Sequence, residues 1–296
     1  MYLYCSVKYI QKVSDFLLFT NIYLGICMIG LYFAFSMKPI GEVGRFDFLL
    51  FVFCSTVSVY SLLRLMNVSR IQDTPLKNIS WAAQHLVLAN RVMYIAAGGA
   101  VLTFLFLNNQ EQMVVILLGV VWILYNASIF SRGRVKYDLR GIWFLKPLIV
   151  GFIITGIVSW VPFQDSSSYS LTAFFCTATI LFCFVSALVV IFEIKDREVD
   201  SSFKTATITT RLGIAKTKVV AIVLLVISII FCIVLHRSLS LIQNIGFVLP
   251  ILALIFFVIF FINAKTKEYV YWIVIDGWMI ILGIVWYVLN HRIIEL

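Results

Sequence analysis

Three carboxylates lie close together in a polar segment that follows a long apolar stretch. Glu193, Asp196 and Asp200 are separated by three and four residues, so a helix that continued through this segment would place all three on one face. Neighbouring anions repel one another unless they share a cation. Oxygen ligands on such a helix suit Mg²⁺, which keeps several waters and bridges to substrate phosphates. The spacing therefore predicts a magnesium site with these three residues as ligands.

Basic side chains interleave with the three carboxylates. Arginine and lysine donate charge-assisted hydrogen bonds to phosphate oxygens, so this mixture of acids and bases is the lining expected around a diphosphate. A solvated helix laced with salt bridges would show a similar pattern, and the sequence leaves that alternative open. The basic residues of this segment are Lys195, Arg197, Lys204 and Arg211.

The elements that carry these residues are apolar. Of the 296 residues, 62% are hydrophobic and 12% are charged, whereas a soluble domain is about a quarter charged. A transmembrane barrel would alternate polar and apolar residues, so we predict an all-α polytopic membrane protein. It forms one domain, 1–296, whose residues 1–14 lie on the membrane interface. Nine stretches approach the length of about 20 residues that a bilayer requires: 16–36, 46–66, 86–107, 113–131, 142–162, 170–192, 217–235, 245–263 and 269–289.

The charge distribution orients these helices. Eighteen of the 23 Lys and Arg residues fall on one side of the predicted spans, and short loops rich in these residues stay in the cytoplasm. We therefore predict that the N-terminus lies inside and the C-terminus outside, in a bacterial inner membrane. The formal net charge of +9 is explained by topology, and we expect no nucleic-acid partner.

Several polar residues fall inside the spans or at their cytoplasmic ends. Ionisable groups are costly in lipid and are functional candidates by default, so their common depth predicts a polar cavity that opens to the cytoplasm. Each residue alone is equally compatible with snorkelling or with a hydrogen bond between helices. The candidates at this depth are Arg64, Arg91, Asn126, Lys146, Glu193 and Asp276.

The carboxylate segment resembles a known family. Asp196-x-x-x-Asp200, which Thr207 and the pair Leu212-Gly213 follow, is similar to the second aspartate-rich motif of the UbiA superfamily of intramembrane prenyltransferases. Its place after the sixth of nine predicted helices also matches. The resemblance implies nine helices around a central cavity, where Mg²⁺ on two aspartate-rich motifs binds an isoprenyl diphosphate.

The first motif departs from the family pattern. Family members usually carry N-D-x-x-D-x-x-x-D after the second helix, whereas here Asn67 matches the asparagine and Asp73 is the only carboxylate. Tyr60-x-x-x-Arg64 resembles an element that replaces this motif in divergent members. Further matches to that branch are Leu139-Arg140, Leu145-Lys146 and Asp276-Gly277, and a departure in the second motif is Lys204, where glycine is usual.

The resemblance implies an enzyme that transfers an isoprenyl group from its diphosphate to a lipophilic or aromatic acceptor with Mg²⁺ as cofactor. A terpene cyclase of the same fold and a lipid-binding or transport protein without catalysis remain alternatives. Asp196, Asp200 and Lys146 are the catalytic candidates, and Glu193 supports the metal. The residues expected to bind the diphosphate are Arg64, Asn67, Arg70, Asp73, Arg140, Lys204 and Arg211; the other cavity residues are Tyr60, Arg91, Asn126 and Asp276.

Overall fold

The computed structural model is built from helices and one short hairpin. It describes residues 2–35, 46–68, 77–126, 130–132, 135–137, 142–160, 171–202, 205–235, 241–263 and 265–294. The helices are α1 Tyr2–Phe19, α2 Ile22–Phe35, α3 Phe46–Val68, α4 Lys77–Gln84, α5 Leu86–Phe104, α6 Asn109–Asn126, α7 Leu145–Thr155, α8 Leu171–Ser202, α9 Ile208–Leu235, α10 Leu241–Phe261 and α11 Gly277–Ile294. The strands β1 Phe130–Arg132 and β2 Val135–Tyr137 pair antiparallel, which the sequence did not predict.

Among the residues that the structure describes, four helical segments are long and apolar enough to cross a membrane. A fifth is gained if the bent pair Gln11–Phe19 and Ile22–Phe35 forms one span. Exposed apolar side chains cover α5, including Val101 and Leu102, as expected for a helix that faces lipid. The chain is therefore an integral membrane protein, and the number of nine spans stays a prediction. The four segments are Phe46–Met66, Leu86–Phe104, Leu171–Glu198 and Ile208–Val234.

The chain divides into two compact units. The first contains Met1–Gly30, Gly44–Leu107 and Glu268–Ile280, and the second contains Leu31–Val43, Asn108–Lys267 and Ile281–Leu296. The prediction of a single domain over residues 1–296 stays a prediction.

In the first unit, α3 packs along α5. A Cβ atom on Gly99 of α5 would stand 2.8 Å from Cys54 Sγ on α3, so the glycine permits this close approach. Five cysteines of the described residues are free, and each is buried: Cys27, Cys54, Cys176, Cys183 and Cys232. They therefore behave as small apolar residues of the core.

In the second unit, α8 is the central helix. In the most apolar 18-residue stretch of α8, 72% is buried, against 28% in the corresponding stretch of α9. It packs against α7 and α9, and a Cβ atom on Gly151 of α7 would stand only 2.3 Å from Ser186 Oγ on α8. The Ser186 hydroxyl also donates to the Pro147 carbonyl at 3.0 Å, which holds α7 in register with α8.

Two breaks interrupt the helices, and the first of them, at Asn21, falls within the predicted span 16–36. Asn21 has φ 62°, a left-handed conformation that asparagine tolerates, and the axes of the two flanking helices differ there by 65°. Gly213 has φ 78° and ψ 167°, which only glycine adopts without strain. The break at Gly213 separates the first five residues of α9 from the rest.

Candidate functional site

The helix α8 carries the predicted carboxylates at the end of its apolar span, which runs from Leu171 to Glu198. It runs to Ser202, so Glu193, Asp196 and Asp200 lie on one continuous helix, the condition under which their spacing places them on one face. Asp196 is partly exposed and pairs with Lys195, whose Nζ atom lies 3.2 Å from Asp196 Oδ1. Asp200 is also partly exposed, one turn further along. The two aspartates are thus adjacent on a helix that emerges from the most buried part of the second unit.

Lys146 faces these carboxylates from α7. Its ammonium group interacts electrostatically with Asp196, Glu193 and Asp200, in decreasing order, and with Tyr125. The register of Lys146 is set by its neighbour Pro147, whose carbonyl accepts the hydrogen bond from Ser186 on α8. The structure therefore brings the catalytic candidates Lys146, Asp196 and Asp200 together within the second unit.

Glu193 is fully buried, and its carboxylate contacts the start of α9. Its side chain is 0% exposed, and its Oε2 atom accepts a hydrogen bond of 2.9 Å from the Ile208 backbone amide at the start of α9. Among the described residues, no group of three His, Cys, Asp or Glu side chains is close enough to hold a metal ion. The Glu193 carboxylate is therefore engaged at the start of α9, and the metal site of Glu193, Asp196 and Asp200 stays a prediction.

The carboxylates of Asp196 and Asp200 are the kind of oxygen ligand that Mg²⁺ prefers. Mg²⁺ in phosphate-binding proteins is usually held by one or two carboxylates, and substrate phosphates and waters complete its octahedron. Asp196 and Asp200 supply two such carboxylates, and Lys146 supplies positive charge beside them. The arrangement suits a metal that arrives with a diphosphate better than a permanent metal centre.

In the first unit, the Arg64 side chain stabilises the junction between α1 and α2 by hydrogen bonds. It is 7% exposed, and its Nη1 atom donates to the Phe19 carbonyl at the end of α1. Its Nη2 atom donates to Asn21 Oδ1 at 2.6 Å, and the Asn21 amide donates to Ser61 Oγ at 3.0 Å. These contacts give Arg64 a structural role, hydrogen bonding between helices, which the sequence left open as an alternative. The predicted role in diphosphate binding stays a prediction.

Asp276 is the second buried charge of the first unit. It is 3% exposed and follows a π-helical segment, Val270–Ile275. Asp276 interacts electrostatically with Arg64 and with Tyr60. The Tyr-x-x-x-Arg element and Asp276-Gly277, two separate matches in the sequence, therefore meet in one polar cluster.

The other candidates are distributed as follows. Arg91 is exposed on α5, and Arg211 is exposed on the first turns of α9. Asn126 Nδ2 donates to the Trp122 carbonyl at 2.8 Å, and its Oδ1 atom is buried without a hydrogen-bond partner. The predictions that lie outside the described residues are Arg70, Asp73, Arg140, Lys204 and the side chain of Asn67.

The aromatic cluster around Trp81 on α4 was not predicted from the sequence. Trp81 of α4 stacks on His85 with ring centroids 4.6 Å apart and lies 5.9 Å from the Phe19 ring. The Lys77 backbone amide donates to Glu268 Oε1 at 3.0 Å. Tryptophan in a short polar segment was the only available signal, since Trp is enriched at membrane interfaces. The cluster ties α4 to the rest of the first unit.

Comparison with known proteins supports the fold. No family model and no curated protein matches the chain. A structure of a UbiA homolog from Archaeoglobus fulgidus, bound to GPP and Mg²⁺, matches with a TM-score of 0.67 and 10% identity over 95% of this chain and 100% of that chain. A digeranylgeranylglyceryl phosphate synthase structure matches with a TM-score of 0.55 and 14% identity over 95% and 99% of the two chains. At these identities the likeness shows the fold, and the predicted resemblance to the UbiA superfamily is confirmed at that level.

Proposed function

We propose that the chain is a membrane-embedded prenyltransferase, which uses Mg²⁺ to transfer an isoprenyl group from a diphosphate to a lipophilic or aromatic acceptor. The observation that carries the proposal is the placement of Asp196 and Asp200 beside Lys146, where α8 leaves its apolar span at Glu198. The similar structures support the class of substrate, because one is bound to GPP and Mg²⁺ and the other is a synthase of a glyceryl phosphate lipid.

The chemistry requires stabilisation of a leaving group. The carbon–oxygen bond of the prenyl diphosphate breaks, and its electron pair leaves with the diphosphate, while the acceptor forms a new bond to the same carbon and loses a proton. Mg²⁺ supplies charge that stabilises the leaving group. Asp196 and Asp200 would hold that ion, and the Lys146 ammonium would donate hydrogen bonds to diphosphate oxygens. All three groups lie within the second unit.

The finer features of the predicted enzyme belong to the same proposal. Nine spans, a cavity open to the cytoplasm, an inside N-terminus and an outside C-terminus follow from the apolar stretches and from the asymmetry of Lys and Arg. A bacterial inner membrane is the proposed location. The further residues proposed to bind the diphosphate are Arg64, Asn67, Arg70, Asp73, Arg140, Lys204 and Arg211.

The experiment is turnover of a labelled substrate. Purified protein in vesicles that contain a lipid extract is incubated with radiolabelled geranylgeranyl diphosphate, with Mg²⁺ or with a chelator. We expect Mg²⁺-dependent release of pyrophosphate and transfer of the label to an extractable acceptor. Label in volatile hydrocarbons would instead identify a cyclase, and binding without consumption would identify a lipid-binding protein. If the protein neither binds nor consumes the labelled diphosphate, the proposal is refuted.

A further inference from the structure

We propose that Glu193 is a positioning residue, which joins the N-terminus of α9 to Lys146 and thereby holds the ammonium group beside Asp196 and Asp200. This role replaces the metal-ligand role that the sequence spacing predicts for Glu193. Its consequence for diphosphate binding rests on the proposed function, whereas the link between Glu193, α9 and Lys146 is testable without any substrate.

The first half of the link is the N-terminus of α9. The first backbone amides of a helix have no partner within the helix and carry partial positive charge. Glu193 Oε2 accepts from the Ile208 amide at 2.9 Å, and the Thr209 amide faces the same carboxylate. Thr207 and Thr210 cap each other. The Thr207 amide donates to Thr210 Oγ1 at 2.8 Å, and the Thr210 amide donates to Thr207 Oγ1 at 3.3 Å. Glu193 thus completes a fully capped helix terminus from a distant position on α8.

The second half of the link is Lys146. Ser186, which binds the Pro147 carbonyl, lies seven residues before Glu193 on α8, and residues seven apart share a helix face. Glu193 therefore lies on the face of α8 that meets α7, where Lys146 precedes Pro147. The charged and titratable groups that interact with Lys146 in this region are Asp196, Glu193, Asp200 and Tyr125.

Burial explains why this link is required. Glu193 is 0% exposed, and no hydrogen bond with good geometry reaches its Oε1 atom. A carboxylate in such a place is stable only if a positive charge and hydrogen-bond donors compensate it. The backbone amides at the N-terminus of α9 provide the hydrogen-bond donors, and Lys146 provides the positive charge. When Glu193 is neutralised, Lys146 retains only Asp196 and Asp200 as acidic partners, which are the two carboxylates needed for the metal.

A double-mutant cycle without substrate tests the link. Glu193→Gln keeps an oxygen that accepts from Ile208 but removes the charge, and Lys146→Met removes the ammonium group. We expect each variant to lower the melting temperature in detergent, and the double variant to lower it no further than the more damaging single variant. Additive decreases would overturn the proposal. Glu198→Gln, at an exposed position on the same helix, is the matched control and should leave the melting temperature unchanged.

Hydrogen exchange tests the α9 half separately. Glu193→Leu, which cannot accept a hydrogen bond, should speed amide exchange at residues 207–210 by about 10-fold, because the Ile208 amide loses its partner. Glu193→Gln should leave that exchange near the wild-type rate. If the leucine variant does not fold, the glutamine variant decides alone, and fast exchange there would contradict the proposal.

The same cycle, measured with geranyl diphosphate and Mg²⁺, separates positioning from metal binding. We expect Glu193→Gln to weaken binding about 10-fold in the wild-type background and to have almost no further effect in the Lys146→Met background. An undiminished effect in the Lys146→Met background would show that Glu193 binds the metal directly. If wild-type protein binds no geranyl diphosphate, the proposed function fails, and the melting and exchange experiments still decide the role of Glu193.

Discussion

Replacing Asp196 and Asp200 together by asparagine is expected to abolish Mg²⁺-dependent binding of geranyl diphosphate, with a loss in affinity of at least about 100-fold. Mutation of residues that merely support metal ligands typically costs 10-fold to 100-fold, so removing both ligand charges should exceed that range. Asparagine retains the size of aspartate, and both positions are partly exposed. The fold should therefore survive, and the loss would be attributable to the site. Isothermal titration of detergent-purified protein measures the effect directly.

The matched control is Glu198→Gln, which removes one negative charge from the same helix at an exposed position. It should change the affinity by less than about 2-fold, because an exposed charge is screened by solvent and salt. If the asparagine double variant binds geranyl diphosphate and Mg²⁺ as wild-type protein does, the aspartate pair has no role in binding.

Replacing Arg64 by alanine should destabilise the first unit by about 3–5 kcal/mol, since removal of one buried charged partner leaves the others uncompensated. The variant loses both donors to the junction of α1 and α2, at the Phe19 carbonyl and at Asn21 Oδ1. It also removes the positive charge that faces Asp276. We expect the melting temperature in detergent to fall by about 10 °C.

Two further variants define the cause of the Arg64 effect. Asn21→Gly removes the side-chain acceptor but keeps the left-handed φ of 62° accessible, so it should cost only part of the Arg64→Ala effect. Arg91→Ala, at an exposed site on α5, should leave the melting temperature within about 2 °C of wild type. An unchanged melting temperature in Arg64→Ala, accompanied by lost diphosphate binding, would contradict the structural role and favour a direct contact with substrate.

The carboxylate helix was predictable because its signal is local. Glu193, Asp196 and Asp200 continue the 3.6-residue period of an apolar helix, and α8 extends through all three. The contact of Glu193 with the start of α9 could not be predicted from spacing. The start of α9 folds back onto α8, so that the Ile208 amide, fifteen residues later, reaches the Glu193 carboxylate. The packing of α6 against α7 brings Tyr125 into the electrostatic range of Lys146, and no motif in the sequence pointed to Tyr125.

The bend between α1 and α2 was not predictable from hydropathy. Apolar residues continue through positions 16–36, and neither proline nor glycine marks the junction at Thr20–Asn21. Asn21 alone was a weak signal, and the partner that stabilises its conformation, Arg64, lies 43 residues away. The β1–β2 hairpin was missed for a different reason, since strands of three residues are too short to show alternation.

The most direct test of the central claim, that Asp196 and Asp200 hold the divalent ion of a prenyl diphosphate, is electron–nuclear double resonance with Mn²⁺ in place of Mg²⁺. Wild-type protein with Mn²⁺ and geranyl diphosphate should show protein-bound Mn²⁺ with hyperfine coupling to the diphosphate phosphorus nuclei. The variant with asparagine at both positions should lose that signal. Coupling of the same strength in the variant, or no protein-bound Mn²⁺ in the wild type, would contradict the claim.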